Sequence, residues 1–415
     1  MLTVDEALHR IASHVRSPAA VRVPLADALG CRLAEDVASD IDSPSHDKSV
    51  VDGYAVRSVD FARAARGEAA EPVELAVLEE ITAGQMPRQP LTSGHATRIM
   101  TGAPIPDGAD AVVMVEQTSH AEEIGASMVV VTFHTDQITP GQNIKRRATS
   151  IRTGQVVLRA GATIRAAEIG LLAEVGRPGV SIVPRPRVAV LSTGNELVAP
   201  ELLPAAGQIR NSNGPMLLAA ARSAGATPID LGIGRDEVDA LRRLIEQGLE
   251  HDVLLLSGGV SAGKLDLVPG VLQELGVREV FHKVSVKPGK PLWFGVSGAS
   301  DPPDCLVFGL PGNPVSSLVG FELFVRPALA ALAGHAWQPP PTITAELGQA
   351  FVTHGNRSTY YPARLDESGE RPTVELLAWQ GSGDLRTITE ANCLAIFAPG
   401  ETEYAAGASI PVMRI

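Results

Sequence analysis

Residues Asp252–Asp266, D-V-L-L-L-S-G-G-V-S-A-G-K-L-D, decide how the chain reads. The apolar run Val253–Leu256 predicts a strand buried on both faces, as in a parallel sheet. It runs into a loop whose Gly258, Gly259 and Gly263 let a ligand approach the main chain closely. Leu267, Val268, Val271, Leu272 and Leu275 then recur at helical spacing, and Gly276 closes the helix. Strand, glycine loop and helix in that order put the loop at the carboxyl end of a parallel strand, where open α/β sheets bind ligands. Asp266, at the helix entrance, can cap the helix or hold a metal.

The same alternation extends on both sides. Val188–Leu191, Thr227–Leu231 and Leu306–Phe308 read as strands. Met216–Ala224, opened by Pro215, a segment from Val238 capped by Asp236, and Val315–Val325 read as helices. A doubly wound, mostly parallel α/β domain over 187–334 follows. Upstream, Thr3–Val15 is an amphipathic helix with a capping box from Thr3 and Glu6, and Pro24–Val37 is helical or mixed. Short β-like runs punctuated by Pro and Gly make a mostly β module, and Arg177–Arg187, with three prolines, reads as a linker. Beyond Pro339–Pro341 the β patterns Thr342–Leu347, Thr359–Leu365, Val374–Trp379 and Leu394–Phe397 suggest a small barrel or sandwich. The predicted organisation is a discontinuous domain I (1–42 and 139–186), a β-rich domain II (43–138), the α/β domain (187–334) and a C-terminal β-barrel (335–415).

With 415 residues, 45% of them hydrophobic, the chain can bury a sizeable core. A net charge of −12 argues against a nucleic-acid surface and against anionic membranes. Cysteines at 31, 305 and 393 make no metal-ligand spacing and no disulfide framework, which suits a reducing cytoplasm. The N-terminus lacks the pattern of a signal peptide, and the sequence predicts no apolar run of the ~20 residues that a membrane span needs. A soluble, cytoplasmic protein is expected.

Two more loops fall at carboxyl ends of strands. Ser192–Leu197, S-T-G-N-E-L, offers the hydroxyls of Ser192 and Thr193 and the carboxylate of Glu196. Leu310–Ser317, L-P-G-N-P-V-S-S, brings Pro311, Gly312 and Asn313 to a helix start, with Ser316 and Ser317 in its first turn and backbone amides exposed for an anion. With Gly258 and Gly259, three converging loops predict a pocket for a phosphate-bearing ligand. Between them Lys283–Phe294, K-V-S-V-K-P-G-K-P-L-W-F, makes a rigid turn that fixes Lys287 and Lys290 together, an arrangement suited to an oxyanion. Gly259–Gly263 also matches the G-x-S-x-G nucleophile elbow. In that reading Ser261 is the nucleophile, with Asp301 or Asp304 and His335 or His354 completing a triad.

The motifs D-G-Y-A-V-R (52–57), M-T-G-A-P-I-P-D-G-A-D (100–110), L-S-T-G-N-E-L (191–197), S-G-G-V-S-A-G-K-L-D (257–266), V-K-P-G-K-P (286–291) and G-L-P-G-N-P-V-S (309–316) resemble the MoeA family, the molybdopterin molybdenumtransferases, and are similar to the gephyrin E domain. The resemblance implies four domains and a homodimer, with the active site between the α/β domain and the other subunit's domain II. It implies that adenylylated molybdopterin and molybdate give molybdenum cofactor and AMP, with Mg²⁺. By motif, Asp52 and Thr101 come from the partner's domain II, while Glu196 and Asp266 are the catalytic carboxylates and metal ligands. Ser261 lies in the glycine loop, Lys287 and Lys290 hold molybdate or the dithiolene-phosphate end, and Arg357 and Ser382 face the oxyanion. Contact with molybdopterin adenylyltransferase and cofactor-accepting enzymes is also implied.

The chain departs from the family pattern at Lys48, where a neutral amide is usual, and at Ser150 and Asn211, where carboxylates are usual. Fewer anions weaken divalent-metal binding. An active enzyme with altered metal dependence is therefore expected. The alternative is a non-catalytic paralogue that carries or scaffolds the cofactor.

Overall fold

The computed structural model describes residues 1–61, 72–123, 129–135, 137–260, 267–298 and 303–415. By packing, the chain divides into two units: one of residues 1–34, 161–165 and 179–415, the other of residues 35–160 and 166–178.

The first unit is built on a six-stranded sheet. Its strands are β1 (Arg187–Thr193), β2 (Thr227–Gly234), β3 (Val253–Ser257), β4 (Arg278–His282), β5 (Trp293–Ser297) and β6 (Cys305–Leu310), in the spatial order 2-1-3-6-5-4. The pairs β2–β1, β1–β3 and β3–β6 are parallel, and β5 and β4 extend the sheet antiparallel. Strand side chains alternate between two cores because successive residues point to opposite faces. Val188, Val190, Val253, Leu255, Leu306 and Phe308 face one core, which they share with α1 (Val4–Ala12), α2 (Asn213–Ser223) and α5 (Pro314–Leu332). Ala189, Leu191, Leu254, Leu256, Cys305 and Val307 face the other, with α3 (Val238–Leu249) and α4 (Val268–Glu274). Both faces are therefore covered, which is why these strands read as continuous apolar runs. The capping box of α1 is present, with Thr3 Oγ1 accepting from the Glu6 amide at 3.2 Å and the Thr3 amide donating to Glu6 at 2.8 Å.

Helix α5 has a π-helical segment at Phe321–Val325 and is long and apolar enough to cross a bilayer, contrary to the sequence expectation. It is a core helix instead: 83% of it is buried inside the fold. Its one buried acid, Glu322, is paired with Arg326 one turn on, which supplies the partner a buried charge requires.

The C-terminal strands Thr342–Leu347, Ser358–Asp366, Thr373–Leu376, Cys393–Phe397 and Ser409–Arg414 close into a barrel around Leu347, Ala363, Val374, Ala395 and Phe397. The last of them was missing from the sequence reading, since Pro411 interrupts its pattern. The expected linker at 177–187 contains a strand, Gly179–Val183, paired with Val21–Pro24 and Arg32–Leu33. Its alternating Val180 and Ile182 are buried, and that burial outweighs the flanking prolines.

The second unit holds another six-stranded sheet, in the order Ala111–Met114, Gly53–Val56, His95–Ile99, Val73–Ile81, Val129–Phe133, Thr118–Glu123. Gly53 is obligatory there, because a Cβ would lie 1.9 Å from the Val113 carbonyl oxygen.

Phe294 is fully buried between Phe281 and Phe308, with ring centroids 5.5 and 4.8 Å away. Phe294→Ala should cost about 3–5 kcal/mol. Urea denaturation should show the midpoint of the first unit falling, and an unshifted midpoint would refute this placement of the core.

Candidate functional site

The order 2-1-3 makes β1 the point where the sheet changes direction. Helix α2, after β1, packs on one face, and α4, after β3, packs on the other. The carboxyl ends of β1 and β3 are thus left with a crevice between them, the ligand site of open α/β sheets. A cavity of about 740 Å³ lies there, lined by Ser192, Thr193, Glu196, Gly258, Gly259, Pro311, Gly312 and Asn313 among others. The three loops read from sequence do converge.

Their contacts are close. Gly258 (φ +91°) and Gly259 (φ +65°) turn against Thr193, where a Cβ would sit 2.6 Å from the Thr193 carbonyl oxygen and 2.7 Å from its Oγ1. The Gly258 amide donates to the Leu310 carbonyl at 3.1 Å. Asn213, the first residue of α2, donates through Nδ2 to Ser257 Oγ at 2.8 Å and to the Gly312 carbonyl at 2.7 Å, tying the second and third loops together. Asn213 was not a candidate in the sequence, since its role depends on loops far along the chain.

Asp236 was also missed. The sequence assigns it to the cap of α3, but the cap position is Glu237 and makes no side-chain bond. Asp236 Oδ2 accepts from the Asn195 amide at 3.2 Å, and Asn195 Oδ1 accepts from the Asp236 amide at 3.1 Å. This reciprocal pair fixes the loop that carries Glu196, and Asp236 lines the cavity with it. Asn211 lines the cavity too, but its Oδ1 accepts from the Gly214 amide at 3.0 Å and so holds the start of α2.

The start of α5 departs from expectation. Pro314 has no N–H, the Val315 amide donates to the Ser382 carbonyl at 3.1 Å, and the Ser317 amide to the Asn313 carbonyl at 2.9 Å. Those amides are engaged and do not face an anion.

The cations lie next door. A second cavity, of about 620 Å³, is lined by Lys287, Lys290, Ser316, His354, Arg357, Trp379 and Ser382, and shares Pro291 and Asn313 with the first. Lys287 and Lys290 are exposed while Pro288 and Gly289 between them are buried. The turn is closed by Lys283 N to Leu292 O at 2.8 Å and Val284 N to Lys290 O at 3.0 Å. It also pairs with the barrel, Val286 with Ser358 and Lys287 with Thr359, and Arg357 Nη1 donates to the Val286 carbonyl at 3.2 Å. Among the described residues no Asp or Glu lines this second cavity, so its charge suits an oxyanion.

Comparison with known proteins assigns the chain. Family models match residues 2–176 (MoeA N-terminal region, domains I and II), 189–331 (probable molybdopterin-binding domain) and 344–415 (MoeA C-terminal region, domain IV). A Staphylococcus aureus protein named molybdopterin molybdenumtransferase is 34% identical over 99% of this chain and 95% of its own. The Bacillus subtilis protein of that name is 35% identical over 100% and 94%. The chain belongs to the MoeA family. A solved MoeA structure from Pyrococcus horikoshii superposes with a TM-score of 0.80 at 31% identity, covering 100% of this chain and 99% of that one.

The remaining candidates of the family and hydrolase readings either lie outside the described residues or line neither cavity. Ser261 and Asp266 lie outside the described residues, as does Asp301. Asp304 precedes β6, at the opposite end of the strand from the glycine loop, and His335 lines a separate cavity with Arg16 and Trp337. The hydrolase triad therefore cannot be assembled from Asp304 and His335. Asp52 and Thr101 belong to the second unit, as do Lys48 and Ser150. There the Asp52 carboxylate accepts from the Thr101 amide at 2.7 Å and from Thr101 Oγ1 at 2.8 Å.

Those two bonds from Thr101, backbone first, hold Asp52 below the usual carboxylate range, with Arg98 adding to the effect. Because the folded value is depressed, the stabilisation is present above the unfolded value of about 3.9 and is lost as pH falls through the folded one. Thr101→Val keeps the amide and removes the hydroxyl. The Asp52 carboxyl resonance should then titrate at higher pH, and an unchanged midpoint would show the hydroxyl bond to be idle.

Proposed function

We propose that this MoeA-family chain is a molybdopterin molybdenumtransferase, which forms molybdenum cofactor and AMP from adenylylated molybdopterin and molybdate. The observation that carries this reading is the abutment of two unlike cavities at Pro291 and Asn313: a polar one at the sheet switch point and a cationic one. That arrangement suits a nucleotide-linked substrate presented to an oxyanion, in a chain whose relatives bear that name over nearly their whole length.

In this reading Lys287, Lys290 and Arg357 bind molybdate, with Ser316 and Ser382 able to complete its hydrogen bonds. Residues 192–196, 258–259 and 311–313 hold the pterin nucleotide. The protein's contribution is positioning and fixed charge rather than covalent chemistry. Mg²⁺ fits the donors present: Glu196 and Asp236 line the nucleotide cavity, and Mg²⁺ is commonly held by one or two carboxylates plus substrate phosphates. Asp266 is the further expected ligand. Among the described residues no cluster of three or more His, Cys, Asp or Glu side chains forms a metal cage. When bound, the ion neutralises phosphate charge. Four domains, a cytoplasmic location, and contact with the adenylyltransferase and acceptor enzymes belong to the same proposal.

Activity with both substrates tests the reading, and negligible turnover with intact binding would favour a carrier. Lys287→Ala, Lys290→Ala or Arg357→Ala should each raise the molybdate concentration for half-maximal rate by roughly 10-fold, from the strength of a charged hydrogen bond, and more so at low salt. An unmoved molybdate response with a lowered melting temperature would make the residue structural.

We further propose a homodimer in which Asp52 and Thr101 complete the partner's site. Mixing Asp52→Ala with Asp266→Asn subunits should restore activity, because one cleft of the heterodimer receives both intact halves. A confirmed heterodimer no more active than its parents would place these residues outside a shared site.

A further inference from the structure

Three side-chain oxygens on the switch-point cavity have no partner among the described residues: Ser192 Oγ, Thr193 Oγ1 and Asn213 Oδ1. Their residues are 1%, 3% and 7% exposed. Buried polar atoms are nearly always hydrogen-bonded, so three orphans in one cavity wall need an explanation. They are also rigidly held. Ser192 and Thr193 end β1, in register with Ile233 and Gly234 of β2, and Ser192 is also paired with Ser257 of β3. Asn213 is pinned by its two Nδ2 bonds. The Gly312 carbonyl can only accept, so the amide cannot flip, and Oδ1 is left as the free acceptor.

We propose that Ser192, Thr193 and Asn213 form an uncharged recognition floor for the N–H and O–H edges of the substrate's non-phosphate part, a heterocycle or a ribose, with Asn213 its specificity-determining residue. This rests on the pterin-nucleotide reading above and narrows the sequence expectation of a phosphate-bearing ligand to that ligand's non-phosphate part. An ionised phosphate oxygen only accepts, as does Asn213 Oδ1, so the two repel. Among the described residues no compensating cation lies on the floor. Arg210 is the one cationic residue lining the cavity among the described residues; it is exposed, and its Nε is spent on the Leu202 carbonyl at 3.0 Å. Glu196 and Asp236 add negative charge. A heterocyclic N–H or a sugar hydroxyl, by contrast, donates to Oδ1, and the Ser and Thr hydroxyls can donate or accept in return.

The experiment is calorimetric titration of the full chain with adenosine, 6-hydroxymethylpterin, inorganic phosphate and Mg²⁺, alongside thermal melts. Ser192→Ala and Thr193→Val remove one orphan hydroxyl each and preserve the strand. Each should weaken adenosine or pterin binding by about 5–10-fold, the range for a lost hydrogen bond, while the ligand-free melting temperature holds or rises because an unpartnered group is gone. Asn213→Ala should weaken the same ligand and also lower the melting temperature, since it unties two loops. A response with 6-hydroxymethylpterin assigns the floor to the pterin heterocycle, whereas a response with adenosine alone assigns it to the nucleoside, where adenine without its sugar then separates base from ribose. Unchanged adenosine and pterin binding in all three variants, with the wild type binding normally, overturns the floor and leaves the activity reading standing. Loss of phosphate binding or of Mg²⁺ binding in Ser192→Ala overturns it as well. If the wild type binds neither adenosine nor pterin, the pterin-nucleotide reading fails and takes the floor with it.

Discussion

Neighbouring parallel strands whose helices leave to opposite faces cannot close the gap between their carboxyl ends, and the rest of the first unit depends on that constraint. With β1 and β3 apolar on both faces, polar groups have one place to go, the loops beyond the strand ends. Those loops must then approach one another without side chains in the way. Gly258 and Gly259 meet that need against Thr193, where a Cβ would come within 2.6 and 2.7 Å. The single amide of Asn213 locks the arrangement. Core formation and site formation are therefore the same event in this sheet.

Charge is distributed with equal economy. The chain is acidic overall, yet the cations that face a common cavity come from two separate segments, the 287–290 turn and Arg357. The turn presents two exposed ammonium groups because its proline and glycine are buried beneath them. In an acidic protein such a patch is a local exception, and its field reaches only about a Debye length of ~8–10 Å in physiological salt. It acts on what enters the cavity.

The parallel sheet was legible in the sequence because burial on both faces leaves continuous apolar runs at Val188–Leu191 and Val253–Leu256. The convergence of Ser192–Leu197, Gly258–Gly259 and Leu310–Ser317 followed from it, since each is placed by the strand before it. What stayed hidden depended on partners distant in sequence. Asp236 looks like a helix cap locally and is instead held by Asn195, 41 residues away. Asn213 contacts residues 44 and 99 positions on. The strand Gly179–Val183 was obscured by its prolines because its pairing partner, Val21–Pro24, lies far upstream. Helix α5 was cut short at Val325 because Arg326-Pro327 reads as a break, until the π-helical turn Phe321–Val325 is seen to lead straight into the continuing helix.

The pairing of Val286–Lys287 with the barrel strand Ser358–Asp366 gives the two cavities different dependence on assembly. Everything that shapes the orphan oxygens of Ser192, Thr193 and Asn213 belongs to the α/β sheet and its helices. The cationic cavity is a seam: Lys287 and Lys290 stand on one side of it, and His354, Arg357, Trp379 and Ser382 on the other. A barrel that loosened would dissolve that seam, while the nucleotide cavity would lose only its edge at Gly383. Capacity to hold an oxyanion is thus conditional on docking of the last eighty or so residues, which the burial of Tyr360, Leu394 and Met413 in the sheet's own core secures.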